Sequence, residues 1–341
     1  MTETRGNNLK KWLPGAFVSL ALGWAILRAV DLPRTLAAFR AADARFLLAA
    51  FFLNVLWLLV RGIVWRTLLR ERASYRETFI TLGEGYLMNN FLPFRLGELG
   101  RAFFLSRKSP LPFAEVLSTI VVERVFDLVI SAGIFVAVAP FIVETGNAAR
   151  AGYLVGGGVF IALLALYLLA KNETRAMDAF RALRQRIPKL GAVEDMTRAF
   201  LQGLSALADG ALFFRFLGWM LFNWGIAIAQ YFCIIAAFFP QATLKWGAFV
   251  LSAAAFGGAI PSLPGALGTL EAAIGGALQL LSGDFSTALA AALVIRFFNY
   301  LFSGAVGIYG FTREGKTLSG VYRELSAFKD RMPKRDDSGG L

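Results

Sequence analysis

The chain has 341 residues, 57% of them apolar and 14% aromatic, with a formal charge of +12; so apolar a chain of this length is an integral polytopic membrane protein, not a soluble domain. Histidine is absent and Cys233 is the single cysteine, which excludes histidine acid–base chemistry, His/Cys metal sites, an intrachain disulfide and c-type haem. The cations lie between apolar runs, so they read as topological signals; no nucleic-acid partner and no cofactor are expected.

In chain order, a basic N-terminus precedes a first span over Trp12 to Val30, and a second covers Phe46 to Val64. Arg61, Arg66, Arg70, Arg72 and Arg76 form a basic cluster at its end, which assigns that end and the N-terminus to the cytoplasm. Thr78 to Phe104 is apolar but interrupted by Gly83-Glu84-Gly85, Asn89-Asn90 and Pro93-Phe94-Arg95, and Arg107-Lys108 follows at once. A crossing would translocate those cations, so a re-entrant hairpin is predicted; broken backbone at that depth needs cover from protein or a wet cavity. The third span runs from Phe113 to Val143 and the fourth from Tyr153 to Ala170, joined by a cation-poor outer loop. Residues 171–210 are basic, with apolar positions at helical spacing, and predict a cytoplasmic amphipathic helix. The fifth span covers Leu212 to Phe239, a second re-entrant pair Trp246 to Leu281, and the sixth span Phe285 to Phe311, before a basic cytoplasmic tail.

The two interrupted stretches match. Pro93 precedes Gly97 and Glu98 as Pro264 precedes Gly268 and Glu271, and Arg124 follows Pro93 at nearly the distance at which Arg296 follows Pro264. Glu123-Arg124-Val125-Phe126-Asp127 is echoed by Ile295-Arg296-Phe297-Phe298-Asn299. With the topology above, the expected fold is all-α, about six spans plus two re-entrant hairpins in an inverted repeat. Its divisions are residues 1–143, 144–315 (including 171–210) and a tail, 316–341. Asn54 and Asn223 stand at similar distances before the two breaks, a weaker match.

Each ionised group inside the bilayer opposes insertion by about 2.5–3.5 kcal/mol, so Glu98, Glu123, Arg124, Asp127, Glu271 and Arg296 need partners or water. One reading is structural: Glu98 pairs with Arg124, and Glu271 with Arg296. The other is functional: these groups, with Asn90, Arg95, Arg101 and the breaks at Pro93-Gly97 and Pro264-Gly268, line a cavity for an anionic headgroup. Arginines bind phosphate bidentately, and Gly97, Gly265 and Gly268 let backbone approach the ligand. On that reading Arg124 and Arg296 share one cavity, and alanine at Pro264 and Gly265 leaves folding intact. Trp57 and Trp224 read as packing or interface anchors, Cys233 as a small apolar filler, and Asn89 and Asn90 equally as helix caps.

Asn90-Phe91-Leu92-Pro93-x-Arg95-x-Gly97-Glu98-x-x-Arg101, then Glu123-Arg124-x-x-Asp127, Pro264-Gly265-x-x-Gly268-x-x-Glu271 and Arg296, resembles the flippase-like transmembrane domain of lysylphosphatidylglycerol synthases and the stand-alone UPF0104 proteins. The resemblance spans about residues 10–315 and implies a lipid-translocating or lipid-handling role in the cytoplasmic membrane. Full-length synthases continue into a soluble aminoacyl-transferring domain, whereas mostly polar residues follow Phe311, so lysine transfer is not expected. The first functional reading is a flippase for an anionic lipid or lipid-linked intermediate, with both termini cytoplasmic. The alternatives are an intramembrane enzyme using Glu98, Glu123 or Glu271 as acid or base, and a non-catalytic subunit assisting a lipid- or glycan-modifying enzyme. A homo-oligomer or an enzyme partner stays open.

Overall fold

The computed structural model describes residues 31–92, 96–142, 171–186, 208–260 and 263–315, together with single residues between 24 and 28, 161 and 169, and 197 and 204. Among the described residues every regular element is helical: α1 (Leu32–Ala41), α2 (Ala44–Leu68), α3 (Tyr75–Phe91), α4 (Leu96–Lys108), α5 (Phe113–Ile142), α6 (Glu173–Arg186), α7 (Gly210–Phe238), α8 (Leu244–Ala259), a 3₁₀ turn (Pro264–Ala266), α9 (Thr269–Ser282) and α10 (Phe285–Arg313). Helix starts carry the expected chemistry: Asp31, Asp43, Ser74, Asp209 and Asp284 each accept a backbone N–H of the first turn. Hydrogen bonds from Thr287 hold the Asp284 carboxyl below the usual carboxylate range.

Among the described residues, four helices are long and apolar enough to cross a membrane: α2, α5, α7 and α10. They coincide with four of the six expected spans; those placed at Trp12 to Val30 and Tyr153 to Ala170 lie for the most part outside the described residues. Between the long helices sit two hairpins, α3–α4 and α8–α9. Their arms have 17 and 13 residues, and 16 and 14, each short of the roughly 20 residues that a span requires. This is the length expected of helices that enter the bilayer and turn back.

Packing partners exchange between the two sets of four helices. α2 packs on α7, while α3 packs on α10 and α5 on α8. Small residues allow these approaches. A Cβ on Gly97 would lie 2.0 Å from the Gly85 carbonyl oxygen, so α3 and α4 meet backbone to backbone; one on Gly307 would lie 2.7 Å from the Gly83 oxygen, where α10 meets α3. In the second hairpin a Cβ on Gly257 would lie 2.8 Å from the Thr269 oxygen. The largest apolar clusters form where α7, α8, α9 and α10 converge, and between α2, α5 and α7. Leu48, Phe52 and Leu56 of α2, with Leu128 and Val136 of α5, are exposed, as lipid-facing residues of a span are.

Candidate functional site

A cavity of about 600 Å³ lies among α2, α3, α5, α7, α8 and α10. Its wall has one apolar edge: Leu128, midway along α5 and 49% exposed, belongs to the lining, so an apolar residue at bilayer depth marks the rim. The rest of the wall mixes aliphatic side chains, Leu58, Leu251 and Ala254 among them, with carboxamides, aromatic rings and charge. Asn54, Trp57 and Arg61 come from α2, Tyr86, Asn89 and Asn90 from α3, Arg124 and Asp127 from α5, Asn223, Trp224, Gln230 and Tyr231 from α7, and Asn299 and Ser303 from α10.

Behind and along one side runs a network of three arginines and three carboxylates. The i, i+4 spacing of Glu123 and Asp127 sets both on one face of α5, and α2 meets that face with Arg61. The Arg61 Nη2 lies 2.6 Å from Glu123 Oε1 and 2.5 Å from Asp127 Oδ2, and its Nη1 donates to Asp127 Oδ1 at 3.0 Å. From α4, Arg101 donates to Glu123 Oε2 at 3.0 Å and lies 3.4 Å from Glu98 Oε2. Its guanidinium carbon stands 3.9 Å over the Trp65 ring, a cation–π contact that helps to offset burial. Arg124 reaches Glu123 at 2.7 Å, Asp127 at 3.2 Å and Glu98 at 3.6 Å. Trp224 Nε1 donates to Asp127 Oδ1 at 3.2 Å. Arg61, Arg101 and Glu123 are buried, whereas the Arg124 side chain is 30% exposed into the cavity. Three positive and three negative charges balance, which is what allows so many ions to sit together away from bulk water.

The second break is built differently. Leu263 and Leu267 bridge across the 3₁₀ turn that starts at Pro264, Gly265 takes φ +70°, and Gly268 takes φ +85° just before α9. The carbonyls freed there are met by Arg296, whose Nη1 donates to Gly265 O at 2.8 Å and Nη2 to Ala266 O at 3.0 Å. Arg296 also pairs with Glu271 and contacts the Tyr300 hydroxyl at 2.5 Å, and Glu271 accepts the Gly268 N–H at 2.9 Å. A broken helix in an apolar medium needs such replacements for its lost hydrogen bonds.

The sequence-derived site residues therefore divide. Asn90, Arg124 and Asp127 line the cavity, with Asn90 donating to Ser303 at 2.9 Å. Glu98, Arg101 and Glu123 hold those groups from behind, and Arg296 and Glu271 tie the second break, outside the cavity lining. Pro93 and Arg95 lie outside the described residues. Glycine has another reason than the one expected: Gly97 fits against Gly85, and a Cβ on Gly265 would stand 2.4 Å from the Tyr300 oxygen. Each makes room for chain rather than for a ligand. The expectation that Gly265 tolerates alanine is corrected accordingly, since a positive φ and a filled space both oppose it.

Sequence reasoning missed Arg61, which was grouped with Arg66, Arg70, Arg72 and Arg76 as a cytoplasmic signal although α2 continues to Leu68 and buries it. It missed Gln230 too, although Arg61 follows Asn54, and Gln230 follows Asn223, at the same spacing of seven residues. Trp57 and Trp224, read as packing, line the cavity. Asn223 donates to the Trp57 carbonyl at 2.9 Å, joining α7 to α2. Glu84, read as an interruption, is buried and bonded by Lys108 at 2.9 Å, and Lys108 pairs also with Glu314 at the end of α10.

The family model described as lysylphosphatidylglycerol synthase TM region matches residues 12–307, and the chain belongs to that family. A UPF0104 membrane protein of Methanothermobacter thermautotrophicus is 22% identical over 302 residues, 85% of this chain and 90% of the relative. Another, from Methanocaldococcus jannaschii, is 24% identical over 199 residues, 56% of this chain; the chain spans only 59% of that relative's length. A Haloferax volcanii protein named glycosyltransferase AglD is 24% identical over 337 residues, 87% of this chain and 53% of its own length. No solved structure gives a significant match.

Proposed function

We propose that this member of the lysylphosphatidylglycerol synthase transmembrane-region family is a lipid translocator of the cytoplasmic membrane, moving an anionic lipid or a lipid-linked intermediate whose headgroup enters the cavity between α2, α5 and α7. One observation carries the reading: a cavity lined by both polar and apolar side chains lies among the spanning helices, with a lipid-facing residue, Leu128, in its wall. Two broken hairpins flank it, as in transporters built from inverted repeats, with residues 1–143 and 144–315 as the two halves. The exchange of packing partners between the two sets of helices supports that division.

The enzyme alternative is less favoured because Glu98, Glu123 and Glu271 are each ion-paired to arginine and none of them lines the cavity. A supporting subunit would need its partner for any activity. The purified chain in liposomes separates the first reading from the other two. Tail-labelled lipids that become accessible to an external quencher only with the chain present support translocation, and equal accessibility in empty vesicles rejects it.

A further inference from the structure

Six carboxamides line one cavity: Asn54, Asn89, Asn90, Asn223, Gln230 and Asn299. A carboxamide both donates and accepts, whereas a guanidinium only donates and an ionised phosphate only accepts. A site selective for bare phosphate uses only the N–H ends of such amides and leaves their oxygens unmatched. They suit a ligand that brings donors of its own. Gln230 adds an independent sign: it is 3% exposed, lies on the cavity wall, and its Nε2 is buried with no hydrogen-bond partner among the described residues. A buried amide left unpaired is a standing penalty that a ligand oxygen removes.

Charge narrows the donor. The network as a whole sums to zero: Arg61, Arg124 and Asp127 on the wall carry one positive charge in excess, and Arg101, Glu98 and Glu123 behind it carry one negative. A balanced network offers no surplus carboxylate to an ammonium headgroup, and the exposed side of Arg124 matches at most one negative charge. Trp57, Tyr86, Trp224 and Tyr231 put aromatic rings on the same wall, with Trp57 and Tyr86 stacked on each other at 6.1 Å. Aromatic faces beside carboxamides fit a ring that is apolar across its C–H face and hydroxylated at its edge.

We propose that the cavity recognises a glycosyl headgroup on a lipid anchor, carrying at most one negative charge: either a neutral glycolipid or a sugar joined to a polyprenol through a phosphodiester. The hydroxyls bond to Gln230, Asn54 and Asn299, the sugar face rests on the aromatic wall, and the phosphodiester, where there is one, meets Arg124. The inference rests on the translocator reading for its transport assay, and a binding assay keeps the two separable.

The test places the full chain in phosphatidylcholine vesicles with one of four tail-labelled probes: glucosyl diacylglycerol, a glucosyl phosphodiester of a short prenol, phosphatidic acid or phosphatidylethanolamine. One or both glucosyl probes should equilibrate about tenfold faster than the other two, as one or more added hydrogen bonds would give. A lead for the first glucosyl probe identifies a neutral glycolipid, and for the second a lipid-linked sugar. Phosphatidic acid or phosphatidylethanolamine moving as fast as both glucosyl probes overturns sugar recognition and leaves the translocator standing. Quenching of tryptophan fluorescence reads binding apart from movement: selective binding of glucosyl probes without transport upholds recognition and rejects translocation. Gln230→Leu and Asn54→Leu should each lower the glucosyl preference about tenfold, with Gln230→Leu as thermally stable as the parent. Unchanged preference in both overturns the proposal.

Discussion

The two breaks carry matching residues and use them differently. At the first, Arg124 shares Glu98, Glu123 and Asp127 with Arg61 and Arg101, and one side of the network faces the cavity. At the second, Arg296 closes on the carbonyls of its own turn and on Glu271, away from the cavity. The difference comes from the long helix that precedes each hairpin: α2 supplies Arg61 where α7 supplies Gln230. A charge there gathers neighbouring ions into a shared network, while an amide leaves the second arginine to its local partners.

The largest effect expected from breaking this contrast is on stability. Arg61→Leu leaves its network one negative charge in excess and Arg296→Leu strands Glu271, and each should cost about 3–5 kcal/mol, since an uncompensated charge would remain buried. They part on rescue: Glu271→Gln should restore most of the stability of Arg296→Leu, whereas Glu123→Gln or Asp127→Asn balances the charge but leaves the other carboxylate without its Arg61 hydrogen bonds, so neither alone should fully restore Arg61→Leu. Thermal unfolding in detergent measures all of these, and full rescue of Arg61→Leu by one carboxylate substitution would dissolve the distinction between network and pair.

The glycines of the two breaks come next. Gly97→Ala forces α4 from α3 and should cost about 1–3 kcal/mol, as overpacking does; Gly265→Ala adds a positive-φ penalty of about 1–2 kcal/mol to its conflict with Tyr300. Pro264→Ala alone should be nearly neutral in the same melts. If Gly265→Ala melts with the parent, the turn has room that its geometry denies.

Arg124→Gln tests the cavity side of the comparison. With 30% of its side chain exposed and two other arginines still on Glu123, it should lose only about 1 kcal/mol of stability. Transport of a lipid carrying a phosphodiester should nonetheless fall about tenfold, equivalent to about 1.4 kcal/mol. Equal rates for Arg124→Gln and the parent on that lipid would remove Arg124 from headgroup recognition.

No change in stability is expected from the topological test of the inverted relation between the halves. In a Cys233→Ser background, Gln241→Cys before α8 should react with an impermeant thiol reagent from outside intact cells, and Asn172→Cys before α6 only after lysis. Labelling of Asn172→Cys from outside would place the halves in the opposite orientation and undo the assignment drawn from loop charges.

The sequence by itself determined what depends on local composition. Runs of apolar residues specify helices long enough to cross, and Pro93 and Pro264 interrupt them because proline lacks an N–H and crowds the preceding turn. The matched Arg124 and Arg296, and the pairings of Glu98 with Arg124 and Glu271 with Arg296, were legible because an isolated ion in hydrocarbon has to find an opposite charge. Tertiary structure decided which ions face the ligand. Arg61 continues a basic run in sequence and is buried only because Glu123 and Asp127, some sixty residues on, meet it across α2 and α5. Gln230, Asn54 and Asn299 share a wall only because α7, α2 and α10 converge. Gly97 is glycine on account of Gly85, on the other arm of its hairpin. In each case the deciding term is a contact between residues far apart in the chain, and local propensity carries no information about it.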